Sequence, residues 1–190
     1  THGNAISGVR SPGSTDLPAE TVVLATGSWS AQTAASAGVG LRIDPVRGQN
    51  LRLRMPAGLR LSTNVYGDET ILVPRPDGRL IAGVTIESVG FDSRATTDGI
   101  RSIMERSAEL VPALADAVVE QAYAGLRPAS ADGLPIIGRP NGVGGLVIAT
   151  AHYRMGIALS PITGRLVADH IADGAELPHE FRPDRGINVG

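Results

Sequence analysis

Thr21-Val22-Val23-Leu24-Ala25-Thr26-Gly27 is the stretch on which the fold turns. It is apolar on both faces and reads as a buried central strand, because a strand covered on both sides loses the polar–apolar alternation. It stops at Thr26-Gly27. An Ala-rich helix is predicted from Ser30 to Ala37, with Gly38 where a C-terminal cap belongs. The same order recurs late in the chain. Leu146 to Thr150 reads as a second buried strand and Gly156 to Ala172 as an apolar helix, with Pro161 near its first turns, where proline is tolerated. A short β-type segment, Ala5 to Val9, precedes the first unit and joins it through the turn Ser11-Pro12-Gly13-Ser14.

Between these pieces the texture changes. Asn50 to Arg54 alternates polar and apolar, and Ile71 to Arg75 and Arg79 to Ile86 flank Pro76-Asp77-Gly78, a hairpin signal. Thr97 is the predicted cap of a helix carrying Ile100, Ile103, Met104, Ala108 and Val111, stopped by Pro112. A further strand is predicted over Val118 to Leu126. Strand–Gly–helix pieces at both ends thus enclose an antiparallel insertion, the layout of two domains with the second inserted into the first. The fold class is α/β with an inserted α+β domain.

Composition narrows the chemistry. The chain has 190 residues, 42 % hydrophobic and 19 % charged, enough to bury a core. A net charge of −2 provides no basic field for nucleic acid or an anionic membrane. All 17 basic residues are Arg, which excludes Schiff-base and P-loop lysines and leaves the guanidinium to hold a carboxylate or phosphate. With Cys absent there are no disulfides, thiolate zinc sites or Cys nucleophiles. No apolar run approaches the ~18 residues of a membrane span. The scattered His residues give no metal site, and His170 and His179 are expected at the surface. Trp29, Phe91 and Phe181 read as packing residues. The opening Thr1-His2-Gly3-Asn4 is not a signal peptide and reads as an entry into the middle of a longer protein, so the expected location is cytoplasmic.

Three places carry candidate chemistry. Ala25, Thr26 and Gly27 lie between a strand and a helix, where backbone approaches a ligand closely and N–H groups are free to bind it. His152-Tyr153-Arg154-Met155-Gly156 follows the second buried strand and opens the last helix, whose positive end suits an electron-rich carbonyl or an anion. Arg127 ends an apolar strand in Ala124-Gly125-Leu126-Arg127-Pro128. An ion pair with Asp132 is one reading of it; a fork for a substrate carboxylate is the other.

Read in order, these segments resemble the carboxy-terminal half of FAD-dependent amino-acid oxidases of the D-amino-acid oxidase superfamily, with the glycine oxidases as the nearest group. The resemblance rests on Val23 to Ser30, Pro45-Val46-Arg47-Gly48-Gln49, Val73-Pro74-Arg75 with Asp77-Gly78-Arg79, Ala124 to Pro128 running into Asp132 to Gly138, and His152 to Ile157 followed by Ser160-Pro161 and Thr163-Gly164. It implies a partial glutathione-reductase-type FAD-binding domain (residues 1–43 and 129–177), an inserted substrate-binding domain with a largely antiparallel sheet (44–128) and a tail (178–190). It implies FAD as cofactor, held by Ala25, Thr26, Gly27 and by His152, Tyr153, Arg154, Met155, Gly156, Ile157 and Ala158. Arg127 matches the Arg that holds the substrate carboxylate, Arg154 lies beside flavin and substrate, and Tyr66 and Ile71 align with two family tyrosines of the substrate pocket. Ile71 lacks the phenol, and Met155 replaces a polar residue.

The reaction implied is oxidative deamination of a small amino acid (glycine, sarcosine or a short D-amino acid). Hydride passes from Cα to the flavin, the imine hydrolyses, and O2 is reduced to H2O2. No side-chain acid, base or metal is required. The G-x-G-x-x-G fingerprint is not in this chain, so the resemblance calls for a missing N-terminal FAD-binding segment or a partner chain that supplies it. Two alternatives stand beside this: an FAD-dependent dehydrogenase with an acceptor other than O2, and a non-catalytic binding or assembly subunit. A homo-oligomer is open.

Overall fold

The computed structural model describes residues 4–11, 13 and 15–185. Pro12 and Ser14 of the predicted turn, the opening Thr1-His2-Gly3 and the end of the predicted tail lie outside them. Among the described residues the strands are β1 (Gly8–Val9), β2 (Leu17–Pro18), β3 (Val22–Leu24), β4 (Asp44–Arg54), β5 (Val65–Tyr66), β6 (Ile71–Pro74), β7 (Arg79–Gly83), β8 (Val118–Ala129), β9 (Ile136–Gly138) and β10 (Leu146–Thr150). The α-helices are α1 (Ser30–Ala35), α2 (Thr97–Leu110) and α3 (Gly156–Asp173). The chain divides into two compact units, one built from both ends, up to Pro45 and from Arg127 onward, the other from Val46–Leu126.

In the first unit the sheet order is β3-β10-β9, with β10 parallel to β3 and antiparallel to β9. Its middle strand alternates cleanly. Leu146 and Ile148 pack with Leu24, Ala34 and Val39 on one side, and Val147 packs with Ile137, Val167 and Leu177 on the other. One face of the sheet is therefore covered by α1 and the opposite face by α3, each buried Leu or Ile contributing on the order of 1.5–3 kcal/mol. The expectation of a central strand at Val22–Leu24 is corrected. Among the described residues β3 pairs with β10 on one side and with no second strand of this sheet, and Val23 is 42 % exposed. A single-turn 3-10 helix, Gly27–Trp29, precedes α1. Trp29 is 50 % exposed and Phe91 42 %, and Phe181 packs against the α3 cluster.

Pro161 is the sixth residue of α3, as the predicted start at Gly156 implies, and it cannot donate to the carbonyl of Ile157. Ser160 Oγ donates to that oxygen instead, at 2.9 Å. His170 is not the surface residue predicted. It is half-buried, its Nδ1 lies 2.7 Å from Ala175 O, and its Nε2 is buried without a partner.

The second unit holds a five-stranded sheet of order β5-β6-β7-β4-β8. The predicted hairpin forms, with Leu72 opposite Ala82 and Val73 opposite Ile81 across Pro76-Asp77-Gly78. Leu51, Leu53, Leu72, Leu80 and Ala82 bury one face against Ile103 and Leu114. Helix α2 is capped by Thr96, not Thr97: Thr96 is extended (φ −111°, ψ 151°), and its Oγ1 accepts from Gly99 N at 3.2 Å. Met104, predicted on the apolar face, is exposed.

The Arg47-Gly48-Gln49 motif forms a polar hub inside this unit. Arg47 is buried, donates from Nε to Glu87 Oε2 at 3.1 Å, and lies 3.2 Å from Asp92. Gln49, also buried, donates from Nε2 to Glu87 Oε1 (2.7 Å) and Thr96 Oγ1 (3.1 Å) and accepts from Thr96 N (2.7 Å). Gly99 permits this approach of helix to strand, since a Cβ there would strike the Gln49 amide. Burial pushes the Glu87 carboxyl up, but hydrogen bonds from Arg47, Thr85 and Gln49 outweigh it and hold its pKa below the ordinary value.

Candidate functional site

Because β3 and β10 are parallel, their carboxyl ends finish at the same edge of the sheet, the edge at which α/β sheets bind ligands. After β3 come Ala25 and Thr26, both exposed, and Gly27. After β10 come Ala151 to Met155 and the start of α3. Hydroxyl groups tie the two ends together. Thr26 Oγ1 donates to Ser30 Oγ (3.2 Å), Ser30 Oγ to Thr150 Oγ1 (2.8 Å), and Thr150 Oγ1 to the carbonyl of Gly27 (3.1 Å). The ends of β3 and β10, singled out separately in the sequence, are thereby joined. Beside them Ser28 Oγ is buried with no hydrogen-bond partner.

The β10–α3 loop is strained. Ala151 (φ +63°) and Tyr153 (φ +48°) both occupy the left-handed region, which costs a residue with a Cβ about 1–2 kcal/mol. Such conformations persist where surrounding contacts over-determine them, and they cluster at ligand sites. Here Tyr153 N–H donates to Pro128 O (3.0 Å), Met155 N–H to His152 O (2.9 Å), and His152 Nε2 lies 2.9 Å from Thr163 Oγ1. Burial lowers the pKa of His152 and favours its neutral form. Met155, at the N-cap of α3, offers no side-chain acceptor, so the N–H groups of Gly156, Ile157 and Ala158 lie in a first turn open to a ligand. Arg154, Met155 and Ala158 are exposed, and Ile157 is 94 % exposed.

Arg127 is half-buried near the end of β8, one residue before the Pro128 carbonyl that anchors Tyr153. Burial lowers its pKa; Tyr153 acts against that and the neighbouring cation Arg154 reinforces it. A second cation, Arg154, therefore stands in the electrostatic surroundings of Arg127. Asp132, the sequence's alternative partner for Arg127, is gripped by Arg185.

In the second unit, Tyr66 and Ile71 are directly opposed across β5 and β6. They lie on the sheet face away from Leu72 and Ala82, and Tyr66 is 70 % exposed. Ser30 and Thr150 were missed in the sequence, whereas Ser28 stood in the Thr26-Gly27-Ser28 turn singled out there; hydroxyl residues closing otherwise apolar strands were the available signal. Among the described residues, no group of three or more His, Cys, Asp or Glu could hold a metal ion, and no helix is long and apolar enough to cross a membrane.

Comparison with known proteins agrees with this architecture. The chain is 39 % identical over 194 residues to the bifunctional protein ThiO/ThiG of Synechocystis sp., covering 99 % of this chain and 28 % of that protein. It superimposes on the crystal structure of glycine oxidase from Geobacillus kaustophilus with a TM-score of 0.83 and 36 % identity, covering 92 % of this chain and 47 % of that one. The corresponding values for iminodiacetate oxidase from Chelativorans sp. are 0.81, 29 %, 89 % and 47 %. The chain spans less than half the length of these relatives. Residues 1–170 match the family described as DAO, FAD dependent oxidoreductase. The resemblance read from the ordered motifs therefore holds, and the chain belongs to this family of FAD-dependent oxidoreductases.

Proposed function

We propose that the full-length protein carrying this chain catalyses oxidative deamination of a small amino acid, such as glycine, sarcosine or a short D-amino acid, by way of the imine, with O2 taking up the two electrons and leaving as H2O2. The observation that supports the reading is half-buried Arg127, next to the Pro128 carbonyl that anchors the Tyr153 loop ahead of the uncapped start of α3. In this reading the residues up to 43 and from 129 to 177 belong to the FAD-binding domain, and 44–128 to the substrate-binding domain.

The residues present fit FAD. An orphaned buried hydroxyl at Ser28, exposed backbone at Ala25 and Thr26, and the open first turn of α3 offer hydrogen bonds to a polar ligand, while exposed Met155 and Ile157 offer apolar cover. Ala25, Thr26 and Gly27 would hold one part of it and His152 to Ala158 another. Bound FAD supplies acceptance of a hydride from the substrate Cα. The chain's own task is placement. Arg127 grips the substrate carboxylate through two parallel N–H···O bonds, with Arg154 adding charge, so that the Cα–H is fixed in direction. Tyr66 and Ile71, opposed across β5 and β6, belong to the substrate-binding domain in this reading. Neutral His152 holds the loop to α3 through Thr163.

The names of the relatives support an amine attached to a carboxylated carbon as the common substrate feature. The test is a panel of amino acids, polyamines and sugars assayed for peroxide with the full-length flavoprotein. Peroxide from small amino acids supports the reading. Activity confined to amines without a carboxylate, or turnover without peroxide, refutes it.

A further inference from the structure

Four arginines gather at one end of the second unit's sheet. Arg54 of β4 stands directly opposite Arg79 of β7. Arg75, just past the end of β6, joins the same row, its N–H donating to Arg79 O at 2.8 Å. Leu53 and Leu80 point into the core, so their chain neighbours Arg52, Arg54 and Arg79 stand on the opposite face, and Arg75 shares that face as the cross-strand partner of Arg79. Strand spacing sets Arg54, Arg79 and Arg75 at steps of about 5 Å. Like charges opposed in this way repel.

Glu120 of β8 is the carboxylate they share. Its side chain is 14 % exposed, accepts from Arg54 Nη2, and lies 3.1 Å from Arg79 Nε and 3.5 Å from Arg52 Nε. One carboxylate does not satisfy three guanidinium groups. Arg79 turns its Nη1 to Asp77 Oδ2 in the hairpin turn, at 3.1 Å. Arg52 Nε is buried without a hydrogen bond, and the exposed Arg75 side chain has no partner among the described residues. Four cations thus face two carboxylates, Glu120 and Asp77, and several guanidinium N–H donors are left over.

A ligand with two negative charges and several acceptor oxygens closes that balance. A phosphate group carries close to two charges and three terminal oxygens at neutral pH, and the guanidinium fork grips such oxygens in pairs. We infer that Arg52, Arg54, Arg75 and Arg79 form a binding site for a phosphate dianion, either free phosphate or the phosphate of a small monoester. The site is built from the strands of the second unit alone and does not depend on the proposed reaction.

The experiment uses the full-length flavoprotein in chloride buffer of fixed ionic strength. Inorganic phosphate and methyl phosphate are the probes, malonate is the dicarboxylate comparison, and binding is read by calorimetric titration and by Tm. One phosphate or methyl phosphate binds per chain, more tightly than malonate, and the tighter of the two tells free anion from ester. Arg75→Gln and Arg52→Gln each weaken binding about tenfold or more, the range of one charged hydrogen bond. Arg75→Gln leaves the phosphate-free Tm unchanged. Glu120→Gln removes the competing carboxylate and strengthens phosphate binding even where it lowers the phosphate-free Tm, which a merely structural ion pair does not do. Affinity for methyl phosphate falls below about pH 6, where the dianion takes up a proton. The inference is overturned if neither probe binds beyond chloride, if malonate binds more tightly than both, if Arg75→Gln and Arg52→Gln bind as the unsubstituted protein does, or if Glu120→Gln weakens binding.

Discussion

Arg185 grips Asp132 through two hydrogen bonds, Nε to Oδ2 at 2.7 Å and Nη2 to Oδ1 at 2.8 Å. The Arg185 side chain is 4 % exposed, and its Nη2 also donates to Leu134 O at 3.0 Å. These bonds hold the Asp132 carboxyl well below the usual carboxylate range. They also fasten the segment following α3 to the start of β9, so the predicted tail is locked down as far as Arg185. A fully buried pair broken on one side costs about 3–5 kcal/mol, but Asp132 reaches water, so Arg185→Met is expected to cost about 1–2 kcal/mol, read as a lower Tm. The sign of the pH dependence follows. The folded pKa is depressed, so this stabilisation is present above pH 3.8 and is lost as pH falls below it, and the variant shows a shallower acid limb.

Asp132 is held by Arg185, and substitution of Arg127 tests the proposed substrate contact. Arg127→Met is expected to lower kcat/KM for an amino acid about ten- to a few hundredfold, from a charged hydrogen-bond pair of about 1.5–3 kcal/mol at 1.4 kcal/mol per decade. Arg127→Lys recovers part of this, because an ammonium keeps charge without the fork. Flavin content stays constant. An equal loss with an amine lacking a carboxylate would contradict the assignment.

His152 gives a second pH-dependent outcome. Burial depresses its folded pKa below 6.5, so the unfolded chain binds the proton more readily. Stability is complete above pH 6.5 and declines as pH falls through the interval below it. Urea midpoints at a series of pH values should show this slope, and His152→Gln should flatten it. A slope rising toward acid would contradict the neutral assignment.

Ser160→Ala removes the hydroxyl that serves the Ile157 carbonyl above Pro161. Water can reach this exposed turn, so the expected loss is about 0.5–1 kcal/mol. Pro161→Ala restores the backbone donor, and the Ser160→Ala penalty should shrink in that background. Thermal melts of the two single variants and the double variant decide it.

Much of this was legible in the sequence because period and punctuation agree. The β6–β7 hairpin followed from alternation around Pro76-Asp77-Gly78, β10 from an apolar run matched residue for residue, and the two-unit layout from strand–Gly–helix pieces at both ends. The position of β3 was not legible. An apolar run reports that a strand is shielded, and cannot say which strand stands between the others. Thr96 was passed over for Thr97 because neighbouring threonines are equal in propensity, and the extended backbone that selects one is set by Gln49, 47 residues away. At the site, Arg127 and the His152 loop were visible as polar residues at the ends of apolar strands. The left-handed Ala151 and Tyr153 were not, since neither residue type signals a positive φ.

The Arg47–Gln49 hub changes what its motif can be used for. Six polar side chains from Arg47, Gln49, Thr85, Glu87, Asp92 and Thr96 form one connected set, which Arg94 joins through Asp92. Replacing one member strands the others, so the set should be inherited as a block and lost as a block. A descendant chain could shed Arg127 and all turnover yet keep Arg47-Gly48-Gln49 intact. The motif is a badge of the architecture, and searching genomes with it would recover retired enzymes together with working ones.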